Sequence, residues 1–538
     1  MPHAAAPVES FTPDEREALA PYFGNTDSPV FVLTNLPEVV KGALFARYSR
    51  SAKSVRRLFL DEFLDHIQAG DARASSVGVE RAERLYARVF GEYGDDSVAQ
   101  LGGAHIACEG VSNVLTKVLE RGRLMSYLEQ STRYVPYTDR PGGRWKYVVP
   151  DELDDPALRA LYVERLDRAF ETYARWIEPM QAHFCRLHPK SKDDSEAVYR
   201  AAIRARALDA LRGLLPAATR SNVGIYGSGQ SYEALLLRLR AHPLAEARAT
   251  GELMLPELRK VIPAFLARVD RPDRGVRWAD YLAGRRADTA QVTDALVGQL
   301  DPESRPEVTL TDFDPDGEIK VVAAALYPAS GLPHDQLMAA ARDMSLDDRM
   351  SVLRAYVGDR KNRRHKPGRA FERATYSFDV ITDYGAFRDL QRHRMLTIDW
   401  QHLTPAHGCT RPAAIHHVGA RGDWDRITEE AADLHRRLQA THSLVLAQYT
   451  LSMAYRTRFY LQMNAREATH VIELRTAPQG HPAYRRVCQQ LHRLIAEQAG
   501  HRAIADAMRF ADDSAVELGR LKSERATARR QQKAGAAD

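Results

Sequence analysis

Residues 121–134, RGRLMSYLEQSTRY, set three arginines, a glutamate, a glutamine and two serines into one short, turn-prone stretch. Arginine suits phosphate because its planar fork presents paired, charge-assisted donors. Glu129, Gln130 and Ser131 carry the acceptors and donors that could read or polarise the edge of a planar base. Leu124, Met125, Tyr127, Leu128 and Tyr134 are interleaved among them, which a freely solvated loop rarely shows. Spacing alone leaves two readings open: an anion-and-base pocket, or a salt-bridged loop at a subunit contact.

The elements leading into this segment occur twice. Residues 104–123, AHIACEGVSNVLTKVLERGR, alternate at Ala104, Ile106 and Cys108 as a half-buried strand would. Ser112 is placed to cap a helix, whose apolar face is Val111, Val114, Leu115, Val118 and Leu119. Gly122 is placed to end it. Residues 376–394, YSFDVITDYGAFRDLQRHR, repeat the plan: Tyr376, Phe378 and Val380 alternate, Asp383 caps, and Arg392-His393-Arg394 closes the run. In both copies the first arginine lies the same distance beyond the cap. Amphipathic helices follow each copy, marked by Leu158, Tyr162, Leu166 and Phe170, and by Ile427, Ala431, Leu434 and Leu438. Near the end of each half, a strand-like run leads into a helix rich in arginine (residues 221–240 and 457–475), the second opened by a capping box of Asn464 and Glu467. Looser partners are LFARYSRS at 44–51 and AALYPASG at 324–331.

This repetition predicts an α+β chain of two tandem domains, each a small mixed sheet with long flanking helices. The expected order is an N-terminal extension at 1–29, a domain at 30–265, a linker with a short helix at 266–305, a second domain at 306–515 and a basic tail at 516–538. With 538 residues, 44% hydrophobic and 27% charged, the composition is that of a globular protein. No run of about 18 apolar residues is present, and the N-terminus lacks a secretion signal, so a cytoplasmic protein with no membrane partner is expected. Cys108, Cys185, Cys409 and Cys488 form no CxxC pair, which points to a reducing compartment and away from structural zinc. A net charge of +5 suits a small polyanion without demanding nucleic acid.

The arginine segment resembles the signature of the flavin-dependent thymidylate synthases (the ThyX type), RHRxxSxNExSxRY. Arg121, Arg123, Ser126, Glu129, Ser131, Arg133 and Tyr134 match it, while Gly122 replaces the family's histidine and Leu128 its asparagine. The second half departs in the opposite way. Arg392, His393 and Arg394 keep the opening triplet, but Thr397, Asp399, Trp400, His402 and Thr404 occupy the positions of the serine, asparagine, glutamate, serine and arginine. Asn464-Ala465-Arg466 and Leu474-Arg475 resemble the family's second region, NxR followed by LR. In the first half Gln230 falls at that arginine, and Arg240 (or Arg238) at the later one. Arg212 resembles an arginine that precedes a Leu-Pro pair; Gln448 stands there in the second half.

The resemblance implies methylation of dUMP to dTMP, with methylenetetrahydrofolate as carbon donor, NADPH as reductant and FAD as cofactor. It implies that the serine is no covalent nucleophile, and that arginines activate the pyrimidine by stabilising charge on the ring. Ser131 and Arg475 are then the catalytic candidates. Glu129, Gln130, Ser131, Arg133, Arg212 and Arg240 would bind the nucleotide. Ser49, Arg121, Arg123, Ser126, His365, Arg392, His393, Arg394, Asn464, Arg466 and His470 would bind FAD. Family members are homotetramers with active sites between subunits, so a fused pair implies a homodimer acting as a pseudo-tetramer. Each half has lost what the other keeps. That is expected if each copy retains only what it supplies to a shared site; the competing reading is decay, leaving a nucleotide-binding or nucleic-acid-binding scaffold. A related flavoenzyme on another pyrimidine nucleotide is the remaining alternative.

Other signals are weaker. The basic stretch 359–373 contains only Phe371 for stacking, so a phosphate-binding or solvated face is expected there before a nucleic-acid surface. His402, His416 and His417 lack ligand spacing, and no metal is expected. GSGQS at 227–231 lacks the lysine of an NTPase loop. Phe170, Tyr173 and Trp176 read as core.

Overall fold

Alternation of apolar and polar residues builds the strands of the computed structural model, which describes residues 9–28, 31–48, 51, 53–64, 100–192, 194–515 and 519. The chain divides into two compact units. These do not follow the two halves of the repeat: one is Met1–Glu109, Leu124–Glu129 and Asn222–Leu300, the other Gly110–Arg123, Gln130–Ser221 and Asp301–Asp538.

The first unit carries a three-stranded sheet of β1 (Gly103–Ser112), β2 (Met125–Glu129) and β3 (Arg220–Ser228), in the order β1-β3-β2. The turn-prone stretch 121–134 thus holds a strand between two turns, because β3 supplies an antiparallel ladder running from Met125 opposite Gly227 to Glu129 opposite Val223. That partner lies some hundred residues away and is invisible to local spacing. The helix Gly229–Arg240 packs Tyr232, Leu235, Leu236 and Leu239 into the core of this unit. The expected short linker helix is a 21-residue helix, Arg277–Val297.

The second unit holds a four-stranded sheet of β4 (Val308–Phe313), β5 (Thr375–Asp383), β6 (Thr397–Trp400) and β7 (Arg456–Asn464), in the order β4-β5-β7-β6. Its pairings are all antiparallel, which refines the expectation of a mixed sheet. Tyr376, Phe378 and Val380 of β5 are buried, as their alternation predicts. Each repeat helix is capped where the sequence places the cap. Ser112 Oγ accepts from Leu115 N (3.0 Å), Asp383 Oδ1 from Ala386 N (2.9 Å) and Asn464 Oδ1 from Glu467 N (2.9 Å). The two long amphipathic helices, Pro156–Leu187 and Arg421–Thr441, bury the predicted stripes.

Within this unit the two halves of the repeat pair through equivalent residues. Pro216 bridges Ser452, each four positions beyond Arg212 and its counterpart Gln448. Ala217 N donates to Leu451 O and Met453 N to Leu215 O, both at 2.8 Å, so exchanging the halves exchanges the two bonds. The capped helices Asn113–Leu119 and Tyr384–Gln391 also meet: Tyr384 Oη donates to Asn113 O (3.0 Å) and Gln391 Nε2 to Glu120 O (3.2 Å). This is the isologous geometry of a twofold dimer built inside one chain.

The approach is close beside this junction. A Cβ on Gly213 would lie 2.6 Å from Trp424 Cη2 and 3.1 Å from Ala454 Cβ, and the indole is fully buried. A rigid ring cannot yield as a flexible side chain would, so Gly213→Ala is expected to destabilise the fold by about 1–3 kcal/mol, the usual range for overpacking. Denaturant unfolding of the purified protein checks this, and an unchanged midpoint would show that the ring has room to move.

Candidate functional site

Helix Tyr384–Gln391 and the turn after it aim Asp389, Arg392 and His393 toward residues from both halves of the repeat. Asp389 is the centre of the group. Arg212 Nη1 lies 3.7 Å from its carboxylate, and Arg392 Nη1 and Arg475 Nη1 lie 3.8 Å away. Burial would raise the Asp389 pKa, but Arg392, Arg475, Arg212 and Arg133 overcome it and hold the carboxyl well below the usual carboxylate range. Arg212 reaches the group because Gly385 has no side chain: a Cβ there would sit 2.9 Å from Arg212 Nη2.

Arg133 is held by a second carboxylate, that of the buried Asp209. Its Nε and Nη2 donate to the two oxygens of Asp209 at 2.7 and 2.8 Å, and Nη1 donates to Tyr484 Oη at 3.3 Å. Asp209 is buried, yet Arg133 and then His481 keep its pKa lowered. Arg475 also lies over the Tyr484 ring at 5.3 Å. Burial, reinforced by Arg212, pushes His481 down to about 3, so its ring is neutral near pH 7.

Beside these, Arg475 Nε donates to His393 Nε2 at 2.8 Å, and His393 Nδ1 faces Glu467 Oε1 at 3.6 Å. Burial and Arg475 lower the His393 pKa far below its ordinary value. The His470 ring stands 5.4 Å from His393. His393, Glu467 and His470 offer atoms close enough together to ligate a metal ion. However, the Arg475 donor occupies the lone pair of Nε2, which leaves Nδ1 carrying the proton of a neutral ring. The set therefore suits a hydrogen-bonded chain that orients His393 better than it suits ligation.

Within the second unit the structure gathers Arg133, Arg212, Arg392, His393, His470 and Arg475. Ser131 lies two residues from Arg133, and its Oγ accepts from Arg133 N (3.2 Å). Gln130 precedes it in the same unit. Arg121 pairs with Asp399 (2.7 Å) and lies 5.1 Å over Trp400, while Arg123 donates to Thr397 Oγ1 (3.0 Å), so the worn second signature serves as partner to the first. Arg394 is exposed. Asn464 is occupied as a helix cap, and Arg466 is tied to Pro367 O (3.0 Å) and Glu372 (3.3 Å). The His365 ring is engaged within its own loop, by Lys361 N and Asn362. Residues 361–366 of that basic loop are exposed, while Arg360 is buried in a double hydrogen bond to Glu473 (2.7 and 2.6 Å). Ser126, Glu129 and Arg240 belong to the first unit, where Arg240 pairs with Glu252 (2.7 Å). Ser49 lies outside the described residues.

The sequence reading missed Asp209, Asp389, Glu467, His481 and Tyr484. Three of these carried a signal. Asp209, Asp389 and Glu467 each stand three residues before Arg212, Arg392 and His470, the spacing that brings charges onto one helical face.

The chain matches the thymidylate synthase complementing protein family over residues 43–264 and again over 309–500. It belongs to this family. The two matches fall on the two halves of the repeat, so the chain is a tandem of two diverged domains of the thymidylate synthase complementing type. A UPF0159 protein of Chlamydia muridarum is 38% identical over 520 residues, covering 96% of this chain and 98% of that protein. A flavin-dependent thymidylate synthase of Mycobacterium tuberculosis is 30% identical over 184 residues, 34% of this chain and 68% of the relative. Among solved structures, a UMP/dUMP methylase, PolB, from Streptomyces cacaoi is similar at 20% identity and a TM-score of 0.30, covering 38% of this chain and 97% of its own. Among the described residues no helix is long and apolar enough to cross a membrane.

The depressed histidines of this family member make its stability depend on pH. His481 has an ordinary value of 6.5 and a folded value of about 3. Between them the unfolded chain binds a proton that the folded chain does not, so stability present above pH 6.5 is lost as pH falls. Asp209 and Asp389 stay ionised down to pH 4.5, so these two carboxylates beside His481 add nothing to that slope. His481→Asn keeps an acceptor for Ala483 N, the cap of the helix Pro482–Glu497. It is expected to flatten the decline between pH 6.5 and 4.5 by up to about 2 kcal/mol. Parallel pH profiles for the two proteins would contradict this.

Proposed function

We propose that this protein is a flavin-dependent thymidylate synthase-like enzyme that methylates dUMP to dTMP, with methylenetetrahydrofolate and NADPH as co-substrates. The observation that carries this reading is the composite cluster: Arg133 and Arg212 from one half, and Arg392, His393 and Arg475 from the other, around the buried Asp209 and the part-buried Asp389. Four guanidinium groups against Asp209 and Asp389, with His393 and His481 neutral, leave an excess of two positive charges. That matches in size, and opposes in sign, the charge of one phosphate monoester near pH 7. Membership of the family and the likeness to a flavin-dependent thymidylate synthase support the same chemistry.

In this reading Arg133 and Arg212 hold the phosphate end of the nucleotide, and Ser131, next to Arg133, contacts its base. Arg475 is the catalytic arginine. It is held by His393 and Tyr484, and its remaining N–H donors stabilise negative charge developing on the pyrimidine. His481 and Tyr484 help keep water from the buried wall of the pocket. The residues fit an anionic cofactor as well. Exposed Arg394, half-exposed Arg466 and the paired rings of His393 and His470 form a donor set suited to a dinucleotide, and Arg212 Nη2 is a buried donor without a hydrogen-bond partner. FAD bound there would supply the hydride, while the protein orients it. Two chains would assemble as a pseudo-tetramer.

The purified protein is expected to show flavin absorbance and to release tritium from C5-labelled dUMP when given both co-substrates. Arg133→Lys keeps a charge beside Asp209 but loses the fork, so nucleotide affinity should fall about tenfold with flavin retained. His393→Ala should lose flavin first. Release from another pyrimidine nucleotide but not dUMP would move the reading to that substrate. A colourless protein whose unfolding temperature ignores both FAD and dUMP would be a scaffold and not an enzyme.

A further inference from the structure

Asp389 balances charge without consuming donors. The guanidinium groups of Arg212, Arg392 and Arg475 approach it at 3.7, 3.8 and 3.8 Å, beyond hydrogen-bond reach, and Arg212 Nη2 has no hydrogen-bond partner although Arg212 is buried. Asp209 behaves differently, because it closes a tight fork with Arg133 at 2.7 and 2.8 Å. One carboxylate is a fixed partner. The other sits where three converging cations need a negative charge but not that particular group.

The chain contains its own control for this distinction. Val118 stands where Asp389 does, each three residues before the first arginine of its copy, and Gln448 stands where Arg212 does. Where the arginine is absent, the carboxylate is absent too. A residue kept only for helix packing would not follow the charge of a side chain from the other half. Arg212 and Asp389 come from different halves and meet within one unit.

We infer that Asp389 is a positioning residue that stands in for the substrate's phosphate: it holds Arg212, Arg392 and Arg475 converged while the site is empty without itself taking their N–H donors, and leaves Arg212 Nη2 for the phosphate. This rests on the reading of the cluster as a nucleotide monophosphate site, but it is tested with inorganic phosphate alone. A merely structural Asp389 and a phosphate surrogate predict opposite responses. Removing a structural carboxylate loosens the arginines and weakens anion binding. Removing a surrogate leaves three like charges unbalanced, which phosphate then relieves.

The experiment is thermal unfolding of the full chain and of Asp389→Asn across a phosphate titration at constant ionic strength. The variant is expected to unfold at lower temperature than the parent without phosphate, and to bind phosphate about fivefold more tightly. Equal or weaker phosphate binding by the variant, or no response in it, overturns the inference. The double variant D389N/R212Q reproduces the uncharged state of the other half and supplies the second measure, independent of the first. It is expected to unfold at higher temperature than D389N, and an equal or lower temperature overturns the proposal. If both results are as expected while dUMP releases no tritium, the role of Asp389 stands and the methylation reading fails.

Discussion

The backbone pairing of residues 215–218 with 449–453 is the constraint on which the rest depends. Two reciprocal hydrogen bonds, Ala217 N to Leu451 O and Met453 N to Leu215 O, fix one half of the repeat against the other. Arg212 lies three residues before Leu215, so this register sets where its guanidinium lands, over Gly385 and beside Asp389. The same pairing brings Gly213 under Trp424 and seats the long helices Pro156–Leu187 and Arg421–Thr441 in one unit. A register slip of one residue would turn every side chain on the paired stretch to the wrong side.

Burying several guanidinium groups together is unfavourable unless charge and donors are both satisfied. The site meets the charge part of that requirement in two ways. Asp209 neutralises Arg133 through a tight fork that also takes its donors; Asp389 balances three arginines by field alone. Neutral histidines complete the arrangement, since burial removes their protons and keeps them from adding to the repulsion. A third buried pair, Arg360 with Glu473, fastens the basic loop to the helix Ala465–Arg475.

Much of this was legible in the sequence because it is local. Caps at Ser112, Asp383 and Asn464, the alternation of Tyr376, Phe378 and Val380, and the stripes of the long helices depend on neighbours a few residues away, and they stand where spacing placed them. The duplicated plan was visible for the same reason. The strand Met125–Glu129 was not, because it depends on a partner at 223–227. Asp209 and Asp389 were overlooked although each precedes an arginine by three positions; what makes them matter is arginines far away in the chain, Arg133 for Asp209 and both Arg212 and Arg475 for Asp389, which spacing does not encode. Tyr484 and His481 gave no local sign of their role. Asn464 and Arg466 were legible as residues but not in their engagement, since a cap and a loop carbonyl compete for them.

Covalent linkage changes what the local twofold permits. When two identical subunits meet across such an axis, any substitution is made on both sides at once, and a change that helps one pocket is imposed on its mirror. Here position 212 and its counterpart 448 are separately encoded, as are 389 and 118. An arginine can therefore be installed opposite an aspartate on one side while a glutamine faces a valine on the other. The axis survives in the backbone after it has been lost in the side chains, and a single polypeptide thereby gains an asymmetry that no homodimer of the ancestral module could encode.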